Sequence, residues 1–141
     1  MSQRRISSAV REKVALRASY RCEYCCTTMQ ISTQKFEIEH IIALSKGGEN
    51  SVNNMALSCR GCNAHKSNRI EAIDAITQFY VPLFHLRNDF WSEHFAWDND
   101  PALLIGLTPV GRATIDALQL NRVQLISVRR LLQRLQMHPP D

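Results

Sequence analysis

An α+β fold, with helices towards both ends and short strands between them, is predicted from three observations. Two Cys-x-x-Cys pairs, Cys22 with Cys25 and Cys59 with Cys62, stand 33 residues apart. Residues 35–44 between them are rich in β-branched and aromatic side chains (Phe36, Ile38, Ile41, Ile42), the composition of a strand. Outside the pairs, apolar residues recur at helical spacing behind capping residues. Four cysteines on two knuckles are the ligand set of a closed, tetrahedral, structural zinc site. Such a site leaves no open position for chemistry, so this Zn²⁺ would staple the fold.

The elements follow in order. Ser7 or Ser8 caps a first helix ending near Ala18, with Val10, Val14 and Leu16 on or near one face. The first knuckle comes next. Cys26, directly behind it, stands where a knuckle usually needs a residue tolerant of left-handed backbone. It reads as a spare thiol, with competition for the Cys25 position as the other reading. After the strand over 35–44, Ser45-Lys-Gly-Gly48 forms a turn and residues 49–54 a polar loop. Met55 to Leu57 make a short strand, and a helix starts near Arg60. Residues 72–79 read as a short helix, and residues 94–107 as a hairpin turning at Asp98-Asn-Asp-Pro101. Thr108 caps a helix with Pro109 at its first position, the place that best tolerates proline. Asn121-Arg-Val-Gln124 resembles a capping box opening a last helix, whose apolar stripe would be Val128, Leu131, Leu132 and Leu135.

Length and composition bound the function. The 141 residues, 45% apolar and 21% charged, suit a globular chain of one ordinary domain's size. The expected organisation is a zinc-knuckle core over residues 1–70 and a hairpin and helical extension over 71–141 packed on it. No apolar run is long enough for a membrane span, and no secretory signal is read at the start, so a cytoplasmic protein without a membrane partner is expected. The net charge of +4 is uneven: residues 1–70 carry +6 and residues 71–141 carry −2. A basic excess gathered in one half points to a polyanionic partner such as nucleic acid.

Between and behind the cysteines lie Phe36-Glu-Ile-Glu39-His40-Ile-Ile, Lys46-Gly-Gly, Asn54-Met-Ala-Leu57 and Cys59-Arg-Gly-Cys62-Asn63-Ala-His-Lys66. This ordered set over about residues 20–68 resembles the HNH endonucleases, also called ββα-metal or His-Me finger nucleases. Pro82-Leu-Phe, Trp91-x-x-His94-Phe95 and Thr108-Pro-x-Gly-Arg112 are similar to the tails of stand-alone bacterial members. The resemblance implies a ββα-metal core, with His40 as general base, Glu39 as a metal ligand and Asn63 as the second ligand. The family's acid is usually Asp, so Glu39 is a variant one methylene longer.

The chemistry is consistent with those residue types. Imidazole can take a proton from water near neutral pH. Carboxylate and amide oxygens suit a hard cation, Mg²⁺ or Mn²⁺, able to offset charge on a phosphate and its leaving oxygen. Asn54 carries both a donor and an acceptor and is expected to hold two backbone groups of the histidine segment. Lys46, Arg60, Lys66 and Arg69 are candidate phosphate contacts, and His65 is expected to face solvent or phosphate. His94 is expected to pack beside Trp91 and Trp97, while His85 and His138 give no signal. The function expected is metal-dependent hydrolysis of DNA, leaving 5′-phosphate and 3′-hydroxyl ends as the family implies. A zinc-organised nucleic-acid-binding module without catalysis, and an RNA-directed nuclease, are the other readings. The oligomeric state is not legible.

Overall fold

Ser7 opens the first ordered element: its side chain accepts from the Val10 amide and caps helix α1, Ser8–Arg17. The computed structural model describes residues 6–140. Strand β1, Glu37–His40, pairs antiparallel with β2, Met55–Ser58, in a register that sets Glu39 opposite Ala56 and His40 opposite Met55. Helix α2, Arg60–Lys66, follows β2 after a single residue, Cys59, whose sulfur accepts from the Cys62 amide. These three elements are the ββα unit. Helix α1 packs against β2 through the buried Val14 and Ala15, and Arg17 donates to the carbonyls of Met55 (2.5 Å) and Val52 (3.1 Å).

The first strand stops at His40, four residues earlier than expected. The next backbone groups are taken by a side chain instead of a neighbouring strand. Asn54 accepts from the Ile42 amide and donates to the Ile42 carbonyl, both at 2.9 Å. The chain then runs through short 3₁₀ turns, Leu44–Lys46 and Val52–Asn54, with Gly47 at a φ of 89° ending the first.

The second half corrects several expectations. The helix expected over 72–79 is a hairpin, β3 Glu71–Ile73 with β4 Tyr80–Pro82. Its turn is organised by Asp74, which is wholly buried, accepts from the Thr77 amide and is gripped by Arg112 at 2.9 and 3.0 Å. A helical turn, α3 Trp91–His94, leads into the expected hairpin of β5 Phe95–Trp97 and β6 Leu104–Gly106. Helix α4, Pro109–Leu118, is capped by Thr108 with proline at its start, as the sequence implies.

Helix α5, Val123–Arg134, starts without the capping box. Arg122 is its N-cap and makes no side-chain cap, while Asn121 reaches back to the amide and carbonyl of Leu104, both at 2.8 Å. Its buried face is Leu125, Arg129 and Leu132, so Leu131 and Leu135, expected in the stripe, are exposed. Arg129 displaces them because carbonyls of Ala102 (3.0 Å) and Leu120 (2.7 Å) accept from its Nη1 and Nη2 inside the core, although its Nε is left without a partner among the described residues. His94 bonds Thr108 Oγ1 and meets the ring of Phe84, not the two tryptophans. His138 is buried edge-on against Trp97 and bonds the Pro101 carbonyl. One apolar core, including Val14, Leu57, Phe84, Phe95, Leu118 and Leu125, runs through both halves of the chain. Full burial of such side chains contributes about 1.5–3 kcal/mol each.

Candidate active site and metal centre

Two backbone knuckles bring four sulfurs together. Cys22 and Cys25 lie in the turn behind α1, and Cys59 and Cys62 at the cap and first turn of α2. Their Sγ atoms all lie within 4.8 Å of one another. The amides of Cys25 and Cys62 point at the sulfurs of Cys22 and Cys59 (3.5 and 3.4 Å). Sulfurs bound tetrahedrally at 2.3 Å stand about 3.8 Å apart, and the Cys25 and Cys59 sulfurs are 3.8 Å apart. The donor set therefore fits a zinc ion. Cys26 is outside the four-sulfur group and takes the left-handed conformation, φ 68°, that its place in the knuckle requires.

Glu39, His40 and Asn63 line one cavity of about 300 Å³, together with Ser45, Ser67 and Asn68. Two periodicities converge here. Glu37 and Glu39 share a strand face, and Asn63 and Lys66 share a helix face. Asn63 Nδ2 donates to Glu37 Oε1 at 2.9 Å, and Lys66 Nζ lies 3.3 Å from Glu39 Oε2. Glu39 is 6% exposed and Lys66 2%. The other Glu39 oxygen, Oε1, is buried without a hydrogen-bond partner among the described residues, and the buried Tyr24 hydroxyl stands beside the same carboxylate. Burial pushes the Glu39 carboxyl above its ordinary value, against the pull of the Lys66 ammonium and the Tyr24 hydroxyl. Glu39 and Asn63 line one cavity, and a carboxylate and an amide carbonyl are donors of the kind a hard divalent cation takes.

His40 ends β1 with Nε2 2.9 Å from Asn50 Oδ1. With that oxygen as the acceptor, a neutral imidazole would carry its proton on Nε2 and present Nδ1 as acceptor. Asn54 makes the bonds anticipated from its chemistry and a third, to the Glu49 carbonyl at 2.8 Å. Gly48 is packed against this clamp: a Cβ there would fall 1.8 Å from the Ile42 carbonyl oxygen and 2.8 Å from Asn54 Nδ2.

Residues 22–69 match the family model described as HNH endonuclease. Over that segment, about a third of the chain, the protein is similar to HNH endonucleases. Searches among curated proteins and solved structures gave no match. The matched segment spans all four cysteines, the Glu39-His40 pair, Asn54 and Asn63. The match suggests nuclease activity in general, on a nucleic-acid substrate. None of the described helices is long and apolar enough to cross a membrane.

The four cations singled out for phosphate differ in their surroundings. Lys46 and Arg60 are exposed. Arg69 is exposed too, but its Nη2 donates to the carbonyls of His65 (2.8 Å) and Ala117 (2.7 Å), which ties α2 to α4. Lys66 departs from its expected place on the surface. Its ammonium is buried against Glu39 and reaches the His40 carbonyl at 3.5 Å, so it faces the carboxylate and not solvent. The i, i+3 spacing from Asn63 was the available signal for this inward direction. His65 is exposed, as expected. Asn50, Tyr24 and Glu37 were not singled out in the sequence. Asn50 lies in a polar loop with no periodicity, so no pattern marks it.

Proposed function

We propose that this protein is a metal-dependent endonuclease that hydrolyses DNA phosphodiester bonds, with residues 1–70 as the nuclease core and 71–141 as an extension packed on it. One observation carries the reading: Glu39, its carboxylate buried, lines the same cavity as His40 and Asn63. His40 Nδ1 takes a proton from water while Asn50 holds the opposite ring nitrogen. The water oxygen bonds phosphorus, the bond to the 3′ oxygen breaks, and that oxygen leaves as a hydroxyl after taking up a proton from solvent. Glu39 and Asn63 would hold Mg²⁺ or Mn²⁺, which when bound offsets the charge developing on phosphate and leaving oxygen. Asn54 fixes the backbone beyond His40, a positioning role without metal contact. The four cysteines would hold a structural Zn²⁺. Exposed Lys46 and Arg60 are the phosphate contacts best placed to reach a strand, with Arg69 beside them.

A second reading has its own observation. The Lys66 ammonium already neutralises Glu39, which suits a zinc-organised binding module that needs no second ion. Supercoiled plasmid incubated with the protein and Mg²⁺ or Mn²⁺ separates the two. Nicking or linearisation that His40→Ala abolishes supports the nuclease. Equal DNA binding by both proteins, with no cutting by either, supports the module. Cleavage of structured RNA but not plasmid redirects the substrate.

A further inference from the structure

We propose that Arg122, from outside the HNH segment, completes the four-cysteine metal centre as the hydrogen-bonding counter-cation of its sulfurs, and so governs how firmly the centre holds its ion. Arg122 Nη1 lies 3.6 Å from Cys62 Sγ, and Nη2 lies 3.6 Å from both Cys59 Sγ and Cys62 Sγ. Sixty residues separate Arg122 from Cys62 in the chain, so the contact is built by the fold.

Two further features aim the guanidinium. The carbonyls of Leu118 and Gln119, at the C-terminal end of α4, each accept from Nη1 at 3.1 Å. Helix C-terminal carbonyls carry partial negative charge and favour a cation there. On the opposite side stands Gly61, between the two cysteines of the second knuckle. A Cβ at Gly61 would fall 2.6 Å from Arg122 Nη2 and 3.1 Å from its Cζ. Only a residue without a side chain lets the guanidinium lie over the knuckle.

The physical need is electrostatic. Four thiolates around a dication leave two uncompensated negative charges, and holding them away from water is costly without partners. N–H donors on the sulfurs spread that charge and lower the sulfurs' reactivity towards protons and electrophiles. This role is independent of the nuclease reading, since it concerns the staple and not the cavity at His40.

The test uses full-length, zinc-loaded protein with a chromophoric zinc chelator and, separately, N-ethylmaleimide. Arg122→Met keeps much of the side-chain volume and removes the charge and the donors. It is expected to weaken zinc affinity about 10–100-fold and to speed both metal release and cysteine alkylation. Arg122→Lys should recover part of the loss, and Gly61→Ala, which displaces the guanidinium while keeping it in the chain, should behave like Arg122→Met. Zinc affinity and alkylation within twofold of the parent in a folded Arg122→Met protein overturn the proposal. If that variant does not fold, parent-like zinc retention in Gly61→Ala overturns it, and accelerated release there upholds it.

Discussion

In the proposed nuclease, Asn50 Oδ1, 2.9 Å from His40 Nε2, would hold the proton on that nitrogen and leave Nδ1 to act as base. Asn50→Ala should leave the melting temperature close to the parent's and lower kcat of plasmid cleavage by about tenfold to a hundredfold, as a loosened base would. Unchanged kcat would remove the orienting role. At Glu39 the carboxylate on the cavity shared with Asn63 predicts a cation effect under the proposed function. Glu39→Gln keeps the side-chain volume and should weaken Mn²⁺ binding at least tenfold, read by titration calorimetry on the zinc-loaded protein; equal affinity would exclude Glu39 as a ligand. At this scale the sequence is legible where one residue's chemistry determines its contacts. Asn54 offers a donor and an acceptor, and the structure uses both on Ile42. It is less legible where a partner decides: the i, i+3 spacing from Asn63 hints at the face Lys66 takes, but only the fold brings Glu39 to its ammonium.

Elements whose ends are set by neighbouring residues are the ones anticipated most closely. Ser7 caps α1 and Thr108 caps α4 through bonds three residues long, and both are read directly from the chain. Thr108→Ala should cost about 1 kcal/mol in urea unfolding, somewhat more if the bond from its hydroxyl to His94 also counts. A change below a few tenths would show the helix start held by other contacts. The β3–β4 hairpin escaped because its organiser, Arg112, lies 38 residues from Asp74. Likewise, α5 turns Leu131 and Leu135 outward, and Arg129 shares its inner face with Leu125 and Leu132. Periodicity assumes that apolar residues win the core, and Arg129 has enough carbonyl partners to take it instead.

Across the whole molecule, buried or half-buried guanidinium pairs join segments far apart in sequence. Arg112 and the Thr77 amide hold the Asp74 carboxyl well below the usual carboxylate range. A carboxyl depressed on folding stabilises the native state above the unfolded value, near 4, and that contribution is lost as pH falls towards the folded one. The stability advantage of the parent over Asp74→Asn, large in thermal melts at pH 7, should therefore shrink below about pH 4. A gap that stays constant down to pH 3 would refute this. Other braces share the geometry. Arg87 grips both Glu23 oxygens (2.6 and 3.1 Å) and the Met55 carbonyl (2.8 Å), and the exposed Arg69, just past the end of α2, reaches the Ala117 carbonyl. The tip of the β3–β4 hairpin between these anchors, residues 75–78, is exposed. A protease nicking that tip would release nothing: both fragments should co-elute in gel filtration at the mass of the uncut chain, making this a natural place to divide the polypeptide into a two-piece reporter.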